Sequence, residues 1–168
     1  MENPLFSACQ FQQKCASWQQ AVTLACQPLE QQGVITADYA NTIVKTTEQQ
    51  GPWYILSPAF ALPHARPEDG AICQQSHLSL LCLGEAVVFP GYPEVRLVIV
   101  LAAANGLQHI EMIQKLVCWL DDEERLSQLT NISGAGQLHA LLSVMPPLRH
   151  APQASDAGPL CATASADR

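Results

Sequence analysis

The sequence predicts an α/β domain in which a small set of strands forms a sheet with helices on both faces. Three observations lead to this fold class. Two segments with helical periodicity open the chain, a block rich in Val, Ile, Leu and aromatic residues follows, and more helical segments come after it. Helices before, between and after a small set of strands are typical of a layered α/β domain.

Capping residues and apolar spacing predict the first two helices. Ser17 can cap a helix over 17–32, although Pro28 lies inside it and is expected to weaken its last turn. Thr36 can cap a second helix over 36–50, which a Gly-Pro pair ends. Each helix has one apolar face. These faces contain Trp18, Val22, Ala25 and Leu29 in the first helix, and Tyr39, Ile43, Val44 and Thr47 in the second.

Four strands are predicted from short segments rich in β-branched, leucine and aromatic residues, separated by Gly, Pro and acidic residues. The last of them lies in a long run, VRLVIVLAAA, which is apolar except for Arg96. Such a run is typical of a central strand that is buried on both faces. The predicted strands are Trp53–Ser57, His77–Leu83, Ala86–Phe89 and Val95–Ala103.

Three more helices are predicted after the strands. The first runs from His109 to Leu120, the second is a short helix over 121–131 with acidic residues in its first turn, and the third covers about 136–144. We expect a single domain over 1–145 and a flexible tail rich in Pro, Ala and Ser over 146–168. The apolar side of the first of these helices is predicted to hold Ile110, Ile113, Val117 and Leu120.

The bulk composition excludes several classes of function. The net charge is -7, whereas binding to nucleic acid or to anionic lipid requires a basic face. The N-terminal residues have neither the basic nor the apolar region of a secretory signal. The longest apolar run, over 95–104, is about half of the ~20 residues that a membrane helix needs. We therefore expect a cytoplasmic protein.

The seven cysteines form an odd set without a CxxC pair. Reduced thiols in the core are favoured over a disulfide or metal framework. Cys73 and His77 could share a zinc ion, but no second ligand pair follows at short spacing. We expect neither a metal nor a bound cofactor.

One stretch, FALPHARPEDG, has residues with chemical potential. Pro63 stiffens the backbone that enters His64, and a neutral imidazole with one free ring nitrogen can act as a base or as a nucleophile. If His64 attacks a phosphoryl group, Arg66 could offer a guanidinium fork to the phosphoryl oxygens. His109 follows the buried strand at the start of a helix, where an anion is favoured, so both histidines could converge on one phosphoryl group.

These residue types by themselves leave the function open. His64 could be an ordinary turn residue, His109 a polar residue of a first helical turn, and Arg66 part of a solvated loop. A metal-dependent hydrolase that uses His64, His77 and His109 would lack a carboxylate at ligand spacing. His77 is better interpreted as a structural histidine within a strand. The sequence contains no Gly-rich nucleotide loop and no GxSxG motif.

The block PWYILSPAFALPHARPEDGA resembles the active-site signature of the enzyme IIA component of the bacterial phosphoenolpyruvate-dependent sugar phosphotransferase system, in its mannitol/fructose class. The PHAR form of the motif is most similar to the ascorbate-type branch. The resemblance extends from about Leu5 to Val144 and includes the segments PEVRLVIVLAAA and HIEMIQKLVCWLDD.

This resemblance implies a phosphocarrier with a phosphohistidine intermediate and no metal. The fold that it implies is a mixed, partly parallel sheet of about five strands flanked by helices. His64 matches the histidine that accepts a phosphoryl group from the phosphocarrier protein HPr and passes it to a cognate IIB component, which serves a membrane IIC component. His109 matches the second active-site histidine, which supports the phosphoryl group.

One departure concerns the positive charge of the site. The mannitol branch has an arginine where this chain has Thr46, with Lys45 beside it. Either Arg66 supplies that charge, as a phosphoryl-binding residue, or the phosphoryl group is held less tightly. A regulatory module of the same fold, which binds a partner protein without transferring phosphoryl groups, is the alternative function.

Overall fold

A computed structural model describes residues 6–57, 60–65, 72 and 75–144. Arg66, Cys73 and the predicted tail at 146–168 lie outside the described residues.

A five-stranded mixed sheet forms the centre of the domain. In the order β1-β4-β5-β3-β2, the pairs β1/β4 and β3/β5 are parallel, whereas β4/β5 and β2/β3 are antiparallel. The predicted fold class, a partly parallel sheet within an α/β domain, is therefore confirmed. The strands are β1 (Ala8–Gln12), β2 (Ile55–Ser57), β3 (Phe60–Ala61), β4 (His77–Phe89) and β5 (Tyr92–Ala102).

Helices cover both faces of this sheet, as predicted. One core cluster joins the sheet to α1 and α2, and a second joins its other face to α3, α4 and α5. None of the helices in the described part of the chain combines the length and the apolar character that crossing a membrane demands. The helices are α1 (Trp18–Gln31), α2 (Ala37–Gln50), α3 (Gly106–Leu120), α4 (Glu123–Thr130) and α5 (Ala135–Val144).

The strand predictions were wrong in three places. β1 and β3 were not predicted, because two of the five residues of β1 are glutamines and none is β-branched, and because β3 has only two residues, too few for a periodic signal. The predicted strands 77–83 and 86–89 are one strand, β4. The Gly84-Glu85 pair that separates them in sequence lies where the pairing of β4 with β5 changes register, so an irregularity in the ladder accommodates it.

The predicted first helix is present as α1, which continues through Pro28 to Gln31. A proline has no N–H and leaves the carbonyl four residues earlier, that of Leu24, without its helical donor. The side chain of Gln10 in β1 supplies the missing donor, with Nε2 at 2.8 Å from the Leu24 oxygen. A contact between sheet and helix therefore compensates for the proline.

Helix α3 begins three residues before the predicted start. Asn105 is its N-cap, and its side chain accepts a hydrogen bond from the backbone N–H of Gln108. Ile110, predicted to face the core, is 56% exposed, because the hydrophobic contacts of α3 with the core begin only at Met112. The residues of α3 that are buried against the sheet are Leu116, Trp119 and Leu120.

Three cysteines of the described residues are buried in the core. Burial raises the pKa of Cys26 and of Cys82 to about 12, and it also raises the pKa of Cys15. These thiols are therefore protonated and behave as small apolar side chains, as predicted.

Candidate active site

Two loops meet at one end of the sheet because the strands that lead into them are parallel neighbours. Phe60 and Ala61 of β3 pair with Leu97 and Val98 of β5. The chain leaves β3 and reaches His64 three residues later, and it leaves β5 shortly before α3, which contains His109. Loops that follow parallel neighbouring strands emerge at the same edge of the sheet, which is where α/β proteins usually bind ligands.

The side chains of His64 and His109 are in direct contact. The centroids of their rings are 4.6 Å apart, and the ring planes make an angle of 61°. His64 is half-buried, and so is His109. The convergence of the two histidines that the sequence suggested is thus present in the structure, and what each does chemically stays a prediction.

The backbone around His64 is held by hydrogen bonds to its neighbours on both sides. The Leu62 N–H donates to the Tyr54 carbonyl, and the Leu101 N–H of β5 donates to the Pro63 carbonyl, both at 3.2 Å. Pro63 adds its own restriction on the backbone angle. The ring of His64 is therefore attached to a segment with little conformational freedom.

The hydrogen bond of the His64 ring fixes its tautomer. Nδ1 lies 2.7 Å from the carbonyl oxygen of Leu62. Since a carbonyl oxygen only accepts, Nδ1 must carry the hydrogen that is donated. In the neutral ring, Nε2 then has a free lone pair and is the nucleophilic atom.

Both rings are neutral at neutral pH. Burial lowers the pKa of His64 below its usual value of 6.5, and the Leu62 carbonyl offsets part of this shift. Burial also lowers the pKa of His109, and the neighbouring His64 lowers it further. A neutral imidazole at position 64 keeps the lone pair that a nucleophile needs.

The ring of His109 has an unusual polar atom. Its Nδ1 is buried, and within the described residues nothing forms a hydrogen bond with it. Orphaned buried N–H groups are rarer than acceptors without a donor, so this environment favours the tautomer with a bare Nδ1 and a hydrogen on Nε2. His109 can then donate a hydrogen bond from Nε2.

Apolar side chains are exposed beside the two histidines. Trp53 is 46% exposed, and its ring centroid lies 6.0 Å from that of His64. Leu107 and Ile110, at helical spacing in the first turns of α3, are 68% and 56% exposed. We call Trp53, Leu107 and Ile110 the apolar rim. Sequence reasoning expected a shallow apolar patch around His64 but did not identify these residues, since it assigned Trp53 to a strand and Ile110 to the core.

The other residues considered from sequence are distributed as follows. His77 begins β4, and its Nδ1 lies 2.7 Å from Ser7 Oγ, which fits the structural interpretation. Thr46 donates its hydroxyl to the Thr42 carbonyl within α2, and Lys45 is exposed. The phosphoryl-binding role of Arg66 stays a prediction. No group of three or more His, Cys, Asp or Glu side chains in the described ranges could hold a metal ion.

Comparison with known proteins assigns the family. The family described as "Phosphoenolpyruvate-dependent sugar phosphotransferase system, EIIA 2" matches residues 7–144. The chain is 40% identical over 127 residues to the mannitol-specific cryptic phosphotransferase enzyme IIA component of Escherichia coli K12, covering 75% of this chain and 85% of that protein. It is 31% identical over 121 residues to the ascorbate-specific EIIA component of the same strain, covering 70% of this chain and 77% of that protein.

Solved structures agree with this assignment. The solution structure of the mannitol-specific cryptic enzyme IIA from Escherichia coli superposes with a TM-score of 0.74 at 37% identity, covering 83% of this chain and 95% of that one. The complex of enzyme IIA-Mtl with phosphorylated enzyme IIB-Mtl from Escherichia coli has a TM-score of 0.64 at 23% identity, covering 81% and 94%, and supports the fold alone.

The chain therefore belongs to the EIIA type-2 family of the phosphoenolpyruvate-dependent sugar phosphotransferase system. The relatives include proteins named for mannitol and for ascorbate, and the identity to the mannitol-type protein is the higher of the two given above. The assignment to the ascorbate-type branch stays a prediction.

Proposed function

We propose that this protein is a cytoplasmic phosphocarrier, which accepts a phosphoryl group from phospho-HPr on Nε2 of His64 and passes it to a cognate IIB component. The observation that carries the proposal is the hydrogen bond from Nδ1 of His64 to the Leu62 carbonyl. This hydrogen bond leaves Nε2 as the one nitrogen of the ring with a free lone pair, and the ring itself lies against that of His109. Family membership supports the reaction class.

In the proposed step, the Nε2 lone pair of His64 attacks the phosphorus of the donor. The new P–Nε2 bond forms as the bond between phosphorus and the leaving atom of the donor breaks, and the electron pair of that bond returns to the donor. The positive charge that develops on the His64 ring is stabilised by the Leu62 carbonyl at Nδ1. The reverse sequence, with a nucleophile of IIB, completes the transfer.

His109 is proposed to stabilise the phosphoryl group. Its ring lies against that of His64, and its favoured tautomer presents a hydrogen on Nε2. A hydrogen bond from this atom to a phosphoryl oxygen would be charge-assisted, and such bonds are about twice as strong as neutral ones. Arg66 is the proposed second source of stabilisation. Phosphoryl transfer depends mainly on this kind of positioning and charge stabilisation.

The apolar rim is the proposed docking surface for the partner proteins. Transfer between two proteins requires the donor side chain to reach His64, so the surface around that ring must be covered during contact. Exposed apolar side chains in this position are typical of interaction sites. The interface is expected to be small and transient, since HPr and IIB must both dissociate.

Phosphorylation followed by intact-mass measurement tests the proposal. With phosphoenolpyruvate, enzyme I and HPr, we expect the addition of one phosphoryl group that is acid-labile and alkali-stable. His64→Ala should not be labelled, whereas His139→Ala, which changes an exposed histidine of α5, should be labelled like the wild type. His109→Ala should still be labelled but should transfer more slowly to IIB.

The outcomes separate this function from the alternative. A wild-type chain that takes up no phosphoryl group would favour the regulatory module of the same fold. Labelling of His64→Ala to the wild-type extent would exclude His64 as the acceptor. Undiminished onward transfer by His109→Ala would remove His109 from the mechanism.

A further inference from the structure

A buried tyrosine of α2 joins the His64 loop to the sheet. Tyr39 has no exposed surface, and its hydroxyl lies 2.6 Å from the Leu101 carbonyl, 3.1 Å from the Ala65 carbonyl and 3.2 Å from the Ala65 nitrogen. A hydroxyl has one hydrogen to donate and lone pairs to accept with. The shorter contact to Leu101 takes the hydrogen, and the Ala65 N–H donates to the Tyr39 oxygen.

These hydrogen bonds connect the backbone on both sides of the proposed phosphoryl acceptor, His64, to β5. Leu101 of β5 accepts from Tyr39 through its carbonyl and donates to Pro63 through its N–H. Ala65 donates to the same Tyr39 hydroxyl. Pro63 and Ala65 are the two neighbours of His64 in the chain, so both are fixed with respect to one residue of the central strand.

The strength of this attachment depends on the hydroxyl rather than on the ring. Among the described residues, the Ala65 N–H donates its hydrogen bond to the Tyr39 oxygen. If the hydroxyl is removed, this buried N–H and the Leu101 carbonyl both lose a partner, which favours a rearranged loop. Pro63 then stays attached to β5, while the backbone that follows His64 is released.

We propose that Tyr39 is a positioning residue for phosphoryl transfer, which holds the Nε2 atom of His64 in line with the incoming phosphorus by fixing the backbone at Ala65. This inference rests on the proposed phosphocarrier function. Misplacement of a reacting atom by about 1 Å can cost on the order of a hundredfold in rate. The apolar rim does not involve Tyr39, so recognition of the partners should be unchanged.

The test compares Tyr39→Phe with Thr47→Val. Thr47 is a buried hydroxyl residue of the same helix, which bonds the Ile43 carbonyl and the Tyr54 hydroxyl and makes none of the hydrogen bonds to the His64 loop. Both variants lose a buried hydroxyl, so both report the cost of a weakened core. We measure the rate of phosphorylation by phospho-HPr as a function of HPr concentration, together with the thermal midpoint of each variant.

For Tyr39→Phe we expect kcat to fall by about tenfold to a hundredfold with KM unchanged. Thr47→Val should keep both values of the wild type at a similar loss of thermal stability. A Tyr39→Phe variant with the wild-type kcat, or an equal loss of kcat in Thr47→Val, would overturn the proposal.

Two measurements by NMR do not require transfer. In the wild type, the ¹⁵N signals of the His64 ring should show hydrogen at Nδ1, and the Ala65 amide should exchange slowly with solvent. In Tyr39→Phe, exchange at Ala65 should become faster and the Nδ1–H tautomer should be less populated, whereas Thr47→Val should change neither. Fast exchange at Ala65 in the wild type, or unchanged spectra in Tyr39→Phe, would overturn the positioning role.

Together, the transfer and NMR measurements distinguish the proposed phosphocarrier function from the proposed positioning role of Tyr39. Failure of the wild type to accept phosphoryl groups would contradict the proposed function, and the NMR measurements would still decide whether Tyr39 fixes the ring of His64. A labelled wild type with an unaffected Tyr39→Phe variant would contradict the positioning role alone.

Discussion

The proposed role of the apolar rim in partner binding can be tested quantitatively at Leu107. Full burial of a leucine side chain is worth about 1.5–3 kcal/mol. Because 68% of Leu107 is exposed, a partner that covers it can recover roughly two thirds of this, or about 1–2 kcal/mol. Leu107→Ser should therefore weaken the complex with HPr about fivefold to thirtyfold.

The assay is the rate of His64 phosphorylation at increasing concentrations of phospho-HPr. We expect KM to rise by this factor while kcat stays unchanged, since Leu107 makes none of the described hydrogen bonds of the His64 loop. Val88→Ser is the matched control, because Val88 is 63% exposed and lies at the hairpin end of β4. It should leave KM unchanged.

The free energy of unfolding of both variants provides a further control. Substitutions at exposed positions usually change it by less than about 0.5 kcal/mol, so both variants should be nearly as stable as the wild type. The reasoning would be refuted by a KM for Leu107→Ser within twofold of the wild type. It would also be refuted if Val88→Ser raised KM as much, because the effect would then not depend on the position of the rim.

Three other predictions concern stability. Gln10→Ala should lower the free energy of unfolding by about 1–2 kcal/mol, because it leaves the Leu24 carbonyl without a donor. In a double-mutant cycle measured by urea denaturation, Pro28→Ala should remove most of this effect. An equal loss of stability with and without Pro28→Ala would contradict the compensation. Ser79→Ala should raise the melting temperature, since the buried Ser79 hydroxyl has no hydrogen-bond partner among the described residues; a lower melting temperature would reveal a partner for it. The pKa of His64 in the folded state lies below 6.5, so the unfolded chain binds the proton first as the pH falls. The free energy of unfolding should therefore fall as the pH decreases from 6.5 towards the folded-state pKa. Urea titrations at several pH values should show a smaller fall for His64→Gln, and an identical fall would contradict the lowered pKa of His64.

Much of the secondary structure follows from local sequence. Ser17 as a cap, the apolar spacing of α1 and α2, and the long apolar run of β5 are signals within a few residues of one another. They predict helices and a central strand because helix and strand periodicities act locally. The Pro63-His64 pair could also be recognised in this way, as a stiff backbone with a reactive ring.

Other features depend on contacts between residues that are distant in sequence. β3 exists because two residues pair with β5, and the Leu24 carbonyl that Pro28 leaves without a helical donor is bonded by Gln10 from another element. The apolar rim combines Trp53, which precedes β2, with Leu107 and Ile110 of α3. No local pattern contains these facts, since each is decided by where separate elements pack.

The features of the candidate active site also divide into those that the sequence determined and those that depend on tertiary contacts. The sequence by itself determined that His109 follows the central strand and that Pro63 stiffens the backbone that enters His64, because this depends on residue type and on the order of elements. Only the tertiary structure decided that the two histidine rings touch and that Nε2 of His64 is the free nitrogen. It also decided that Tyr39 anchors the loop. The physical reason is that hydrogen-bond geometry depends on distances of a few tenths of an ångström, which the packing of β3, β5 and α2 sets and no spacing along the chain specifies.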